Sequence, residues 1–114
     1  MNYFRDFFDS KAVLAGVTGT VIWEKEWIGI RGVAYALGVG VQDPNVWAAT
    51  VFRFLVNGAP VLDYGKIADR IGSIDLMTPV KIDLPPYAKI RVEVDNNSGT
   101  DTLFAARLQC KTLQ

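Results

Sequence analysis

The 114-residue chain contains no histidine and only one cysteine. Without histidine, serine and cysteine side chains lack their usual general base, and the commonest nitrogen ligand for metals is missing. A lone Cys110 cannot form a disulfide within the chain. No spacing of acidic residues or glycines fits a metal site or a phosphate-binding loop. We therefore expect a protein that is not an enzyme and that needs no metal or cofactor.

The chain also lacks an excess of charge and long apolar segments. Twelve Lys and Arg residues balance twelve Asp and Glu residues, so no basic surplus is available for phosphates. No apolar run approaches the roughly 20 residues of a membrane-spanning helix, and the first residues do not resemble a signal peptide. We expect neither nucleic acid nor membrane as a partner, and synthesis in a cytoplasm. Zero net charge suits a subunit that packs into an assembly.

The sequence does contain a persistent alternation of apolar and polar residues. Residues 89–95 read Lys-Ile-Arg-Val-Glu-Val-Asp, which places aliphatic side chains on one face of a strand and charges on the other. Gly, Pro and Asn break this pattern at regular intervals, so residues 16–114 are predicted to form a single antiparallel β-sandwich of about eight strands, jelly-roll-like and all-β. The expected core residues are Phe54, Ile90, Val92, Phe104 and Leu108.

The turn residues define the individual strands. These are expected at residues 17–23, 27–37, 47–57, 61–64, 70–76, 80–84, 87–95 and 102–112. The first two and the last two strands are expected to form hairpins. Asn57-Gly58 is typical of a tight turn, and Pro85-Pro86 marks a corner because it cannot lie inside a central strand. Cys110 alternates in phase with the core residues of the last strand, so we expect it to be buried.

Residues 1–15 differ from the rest and are predicted to form a short N-terminal arm, helical or extended. On a helix, Phe4, Phe7 and Phe8 would share one apolar stripe. Two roles remain open: the arm covers an end of its own sandwich, or it docks on a neighbouring subunit. Docking would leave the sandwich folded after deletion of residues 1–10, with assembly abolished.

Three tryptophans provide further contact surface. Trp23 and Trp27 flank the first predicted turn, and Trp47 begins the third strand. They could stack on sugar rings, close the core or fill a subunit contact, since interfaces are enriched in aromatic residues. The candidate partner-binding residues are therefore Tyr3, Phe4, Phe7, Phe8, Trp23, Trp27 and Trp47.

Four strand-and-turn phrases, at residues 27–35, 54–61, 82–90 and 94–98, carry a resemblance to a known family. They resemble the small jelly-roll decoration or cement proteins of tailed bacteriophage virions. The resemblance implies a virion protein without enzymatic activity that self-associates, with a trimer favoured, and binds the major capsid protein or other virion proteins. It supplies no catalytic residues. The alternative is a carbohydrate-binding β-sandwich that uses surface tryptophans.

Overall fold

The structure, a computed structural model, describes residues 3–64 and 78–113. In these residues eight strands account for nearly all regular structure, apart from a 3₁₀ helix at Pro44–Ala49. The strands are β1 (Phe4–Val13), β2 (Thr20–Glu26), β3 (Gly32–Val41), β4 (Thr50–Val56), β5 (Ala59–Tyr64), β6 (Thr78–Leu84), β7 (Lys89–Asn96) and β8 (Thr102–Thr112).

The strands form two four-stranded antiparallel sheets that pack face to face. One sheet has the order β1-β8-β3-β6 and the other β2-β7-β4-β5. The first strand therefore pairs with the last, the second with the seventh, the third with the sixth and the fourth with the fifth. This nested pairing is the topology of a jelly roll. The predicted all-β sandwich of about eight strands is confirmed.

Two of the predicted hairpins are wrong, because the strands concerned lie in opposite sheets. β2 and β3 are connected by residues 27–31, which cross from one sheet to the other. The connection begins with the buried Trp27. β7 and β8 are separated in the same way, and the crossing is fixed by the buried Asn96. The amide nitrogen of Asn96 donates to the carbonyl oxygens of Val13 and Thr100, at 3.2 and 3.0 Å. Alternation identifies a strand but not its partner.

The predicted turn at Asn57-Gly58 is confirmed, and it joins β4 to β5 in a hairpin. Asn57 and Gly58 have φ values of 52° and 83°, the left-handed conformation that a two-residue hairpin turn requires. The corner at Pro85-Pro86 also lies where expected, between β6 and β7. Residues 47–49 belong to the 3₁₀ helix rather than to a strand. The strand expected at 70–76 lies outside the described residues.

The N-terminal segment is extended, and the helical alternative is wrong. β1 pairs with β8 along its whole length, from Phe4 opposite Lys111 to Val13 opposite Thr102. An isolated helix of this length is marginal in water, whereas the edge of β8 offers a continuous ladder of hydrogen bonds. Phe7 consequently points into the core and Phe4 and Phe8 point outward. The division of the chain at residue 15 remains a prediction.

The core lies between the two sheets and contains every residue expected there. Phe54, Ile90, Val92, Phe104 and Leu108 are all buried. The rings of Phe52 and Phe104 meet edge to face across the core at a centroid distance of 6.0 Å, a favourable arrangement for aromatic pairs.

Candidate functional site

The structure places three of the predicted contact residues in the chain's own core. Phe7 packs on Trp23 at a centroid distance of 5.8 Å, and Trp23 is only 4% exposed. Trp27 is fully buried. Each indole N–H donates to a backbone carbonyl, Trp23 to Ala106 at 2.9 Å and Trp27 to Ile30 at 2.7 Å. These side chains hold the sandwich together and present no face to a partner.

Tyr3 is half-buried against the ring of Trp27, with 5.2 Å between the centroids. Tyr3 and Phe7 thus cover the chain's own sandwich, the first of the two roles considered for the N-terminal segment. The side chain of Trp47 lies outside the described residues. No described tryptophan offers an exposed ring for a sugar, so the structure does not favour the carbohydrate-binding alternative.

The remaining aromatic residues of the segment lie on the outer face of β1. Phe4 is 59% exposed and Phe8 is 50% exposed. Phe8 lies opposite Arg107 of β8, and the guanidinium of Arg107 donates to both carboxylate oxygens of Asp6. This contact lowers the pKa of Asp6. We call this surface, Phe4, Asp6, Phe8 and Arg107, the β1 outer face.

The charged side chains on the outer face of the second sheet are joined in ion pairs. Arg53 forms two parallel hydrogen bonds to Asp95, both at 2.7 Å, and these bonds lower the pKa of Asp95. Glu93 lies 3.6 Å from Arg53, and Arg91 bonds Glu24 at 2.7 Å. Both outer faces carry ion pairs, but the exposed phenylalanines Phe4 and Phe8 lie on the β1 outer face. The exposed phenylalanines therefore make the β1 outer face the better candidate interface.

Sequence reasoning missed a second exposed apolar cluster, at the end of the sandwich near Trp27. Ile28, Ile30 and Tyr87 are 61%, 66% and 65% exposed. The two isoleucines were predicted to lie inside a strand, whereas they belong to the connection between β2 and β3. Because Ile28 and Ile30 alternate around Gly29, the sequence pattern there is that of a strand. In the structure the chain crosses between the two sheets at this point, and Trp27 is buried there.

The opposite end of the sandwich contains a shallow groove of about 250 Å³, lined by Ala12, Val13, Leu14, Gln42, Asp101, Thr102 and Leu103. The polar turn at 97–101 lies beside this groove. The side-chain carbonyl oxygen of Asn96 stabilises the turn by accepting hydrogen bonds from the backbone N–H and the hydroxyl of Ser98. Within the described ranges no group of three or more His, Cys, Asp or Glu could hold a metal ion. In the same residues, no helix is long and apolar enough to cross a membrane.

Cys110 is buried in β8, as expected, and is unsuited to nucleophilic chemistry. Burial and, to a smaller extent, the charge of Asp6 raise the pKa of its thiol to about 12. The thiolate, which is the reactive form, is therefore scarce at neutral pH.

We predict that Cys110 of the native protein will not react with a thiol reagent such as Ellman's reagent at pH 8. Unfolding in urea should release one reactive thiol per chain, because the group then regains solvent and an ordinary pKa. Rapid stoichiometric labelling of the native protein would contradict this placement of Cys110.

No protein-family model and no curated protein sequence matches the chain. Among solved structures, the fold is similar to that of a chain in the structure of infectious bursal disease virus, Gx strain, with a TM-score of 0.54 and 13% sequence identity. The alignment covers 97% of this chain and 31% of the viral one, so this chain spans about a third of the length of that neighbour. The likeness shows a shared all-β fold, present in a virus structure.

Proposed function

We propose that the chain is a structural protein of a virion, without enzymatic activity, and more specifically a decoration or cement subunit that self-associates and binds a capsid through protein–protein contacts. The observation that carries the proposal is the fold: nearly the whole chain aligns with part of a chain from a virus structure. The nested strand pairing is the one found in viral capsid domains. The resemblance to phage decoration proteins supports the finer assignment.

The β1 outer face is the proposed contact with the shell. Phe4 and Phe8 are two large apolar side chains on an edge strand, where water contact is costly and a partner can reach them. Arg107 and Asp6 form a charged pair beside them, which gives the patch the polar rim common to protein interfaces.

The proposal can be tested with purified virus particles. Particles purified from the source by density-gradient centrifugation should contain this chain in many copies when measured by quantitative mass spectrometry. Particles stripped of the chain should rebind the wild-type protein on co-sedimentation but lose at least tenfold in binding of a Phe4→Ser, Phe8→Ser double variant. Val61→Ser is the matched control, since Val61 is an exposed apolar residue on β5.

Two results would count against it. If the chain is found only in the soluble fraction, the virion assignment fails. If the double variant rebinds as well as wild type, the shell contact lies elsewhere on the molecule.

A further inference from the structure

The two ends of the sandwich carry different apolar features. One end, which we call the projecting end, consists of residues 27–31 and the turn at 85–88, from which Ile28, Ile30 and Tyr87 extend into solvent. The other, the groove end, holds the apolar groove lined by residues 12–14, 42 and 101–103. β8 runs from the groove end to the projecting end, so the two features lie a full strand length apart.

The backbone that carries the projecting side chains is hydrogen-bonded within the chain. The backbone N–H of Trp27 donates to Ala88 at 2.8 Å, and Leu113 donates to Arg31 at 3.0 Å. Tyr87 has a φ of 58°, a left-handed conformation that is unusual for a bulky residue and persists only where the surroundings impose it. A backbone that is already ordered loses little further conformational entropy on binding, which favours the use of this end as an interface.

The groove is the right size for one of these side chains. Its volume of about 250 Å³ falls below the roughly 300–1,000 Å³ of small-molecule pockets. Its lining is mainly aliphatic, including Val13, Leu14 and Leu103. A single aliphatic or aromatic side chain from another protein fits this description better than a cofactor does.

The charges of the two ends are complementary. In the described residues, the connections at the projecting end contain Arg31 and no acidic residue, while those at the groove end contain Asp43 and Asp101 and no basic residue. The carboxylates of Asp43 and Asp101 accept backbone N–H groups at 3.0 and 2.7 Å. The basic Arg31 beside projecting apolar groups and the two carboxylates beside an apolar groove suit each other.

We infer that copies of this chain associate head to tail, with the projecting end of one subunit seated in the groove end of the next. The inference rests on the self-association in the proposed function and names the surfaces that carry it. Because the two surfaces differ, the contact is heterologous and adds subunits until a ring closes or a chain grows.

The size of the contact sets its strength. The cross-section of 24 × 18 Å limits the buried area to on the order of 400 Å² per subunit, below the roughly 600–1,000 Å² per partner of stable complexes. We therefore expect association that rises with concentration, and a denser array on a particle surface than in dilute solution.

Sedimentation velocity of the full chain over a hundredfold concentration range tests the inference. The wild-type protein should pass from monomer through dimer to larger species. Ile30→Asp, which alters the projecting end, and Leu14→Asp, which alters the groove end, should each remain monomeric. An equimolar mixture of the two should form dimers and nothing larger, because each pair retains one intact projecting end and one intact groove.

Further variants separate loss of contact from loss of folding. Tyr87→Asn removes an apolar group at a left-handed position that Asn tolerates better than Tyr, so it should weaken association without lowering thermal stability. Val61→Asp, on an exposed site of β5, should associate like wild type.

Three results would overturn the inference, and they differ in what else they affect. A wild-type protein that stays monomeric at every concentration would remove self-association from the proposed function as well. Assembly that survives Ile30→Asp, Tyr87→Asn and Leu14→Asp would overturn the head-to-tail contact alone. A mixture that stays monomeric would likewise exclude this pairing of surfaces while leaving self-association intact.

Discussion

Deletion of residues 1–10 is expected to unfold the protein, or to lower its free energy of unfolding by more than about 3 kcal/mol. The deletion removes most of β1, and with it the buried ring of Phe7 that packs on Trp23. Loss of one buried Phe side chain costs about 3–5 kcal/mol, and a small domain has only about 5–15 kcal/mol in total. Urea denaturation followed by tryptophan fluorescence measures the loss directly.

The matched control is the double variant Phe4→Ser, Phe8→Ser. It keeps β1 and Phe7 and alters only exposed side chains, so its free energy of unfolding should lie within about 1 kcal/mol of wild type. A truncated protein as stable as wild type would instead identify residues 1–15 as the separable arm that the sequence predicts.

Strict alternation made the last two strands of the chain predictable. The predicted strand at 102–112 coincides with β8, and the one at 87–95 differs from β7 by only one or two residues at each end. Period two also decides which side chains face inward, so Phe104 and Leu108 could be assigned to the core before the fold was known. Local pattern and tertiary structure agree along these strands.

Strand pairing was not predictable, because it depends on single buried anchors. Residues 27–31 look like a continuation of a strand, but they cross between the sheets, and Trp27 is completely buried at the crossing. The turn after β7 looks like a hairpin loop, yet Asn96 ties it to the end of β1 through Val13 and Leu14. Neither anchor differs in residue type from an ordinary core or turn residue.

The sequence indicates that aromatic residues form the candidate interface, but it does not show which of these residues are exposed. Aromatic residues favour both cores and interfaces, so sequence alone could not divide Phe7, Trp23 and Trp27 from Phe4 and Phe8. The spacing 4, 7, 8 fits a helix and also allows a strand with two residues outward and one inward. The ladder with β8 decides between them, which is a tertiary effect that overrides local spacing.

Phe104→Ala is expected to lower the free energy of unfolding by about 3–5 kcal/mol, the usual cost of replacing a buried Phe by Ala. Phe104 is fully buried on β8, the strand that lies between β1 and β3 in its sheet. Its ring contacts Phe52 across the core, so the substitution leaves a cavity between the two sheets that neither sheet can fill without moving.

Phe8→Ala, measured in the same urea titration, provides the comparison, since it removes the same ring from the outer face of the neighbouring strand. Its effect should be within about 0.5 kcal/mol, as for most surface substitutions. The m-value should be unchanged in both variants if each still unfolds in two states. A larger loss for Phe8→Ala than for Phe104→Ala would show that inner and outer faces have been interchanged in this sheet, and both the core and the β1 outer face would then have to be reassigned.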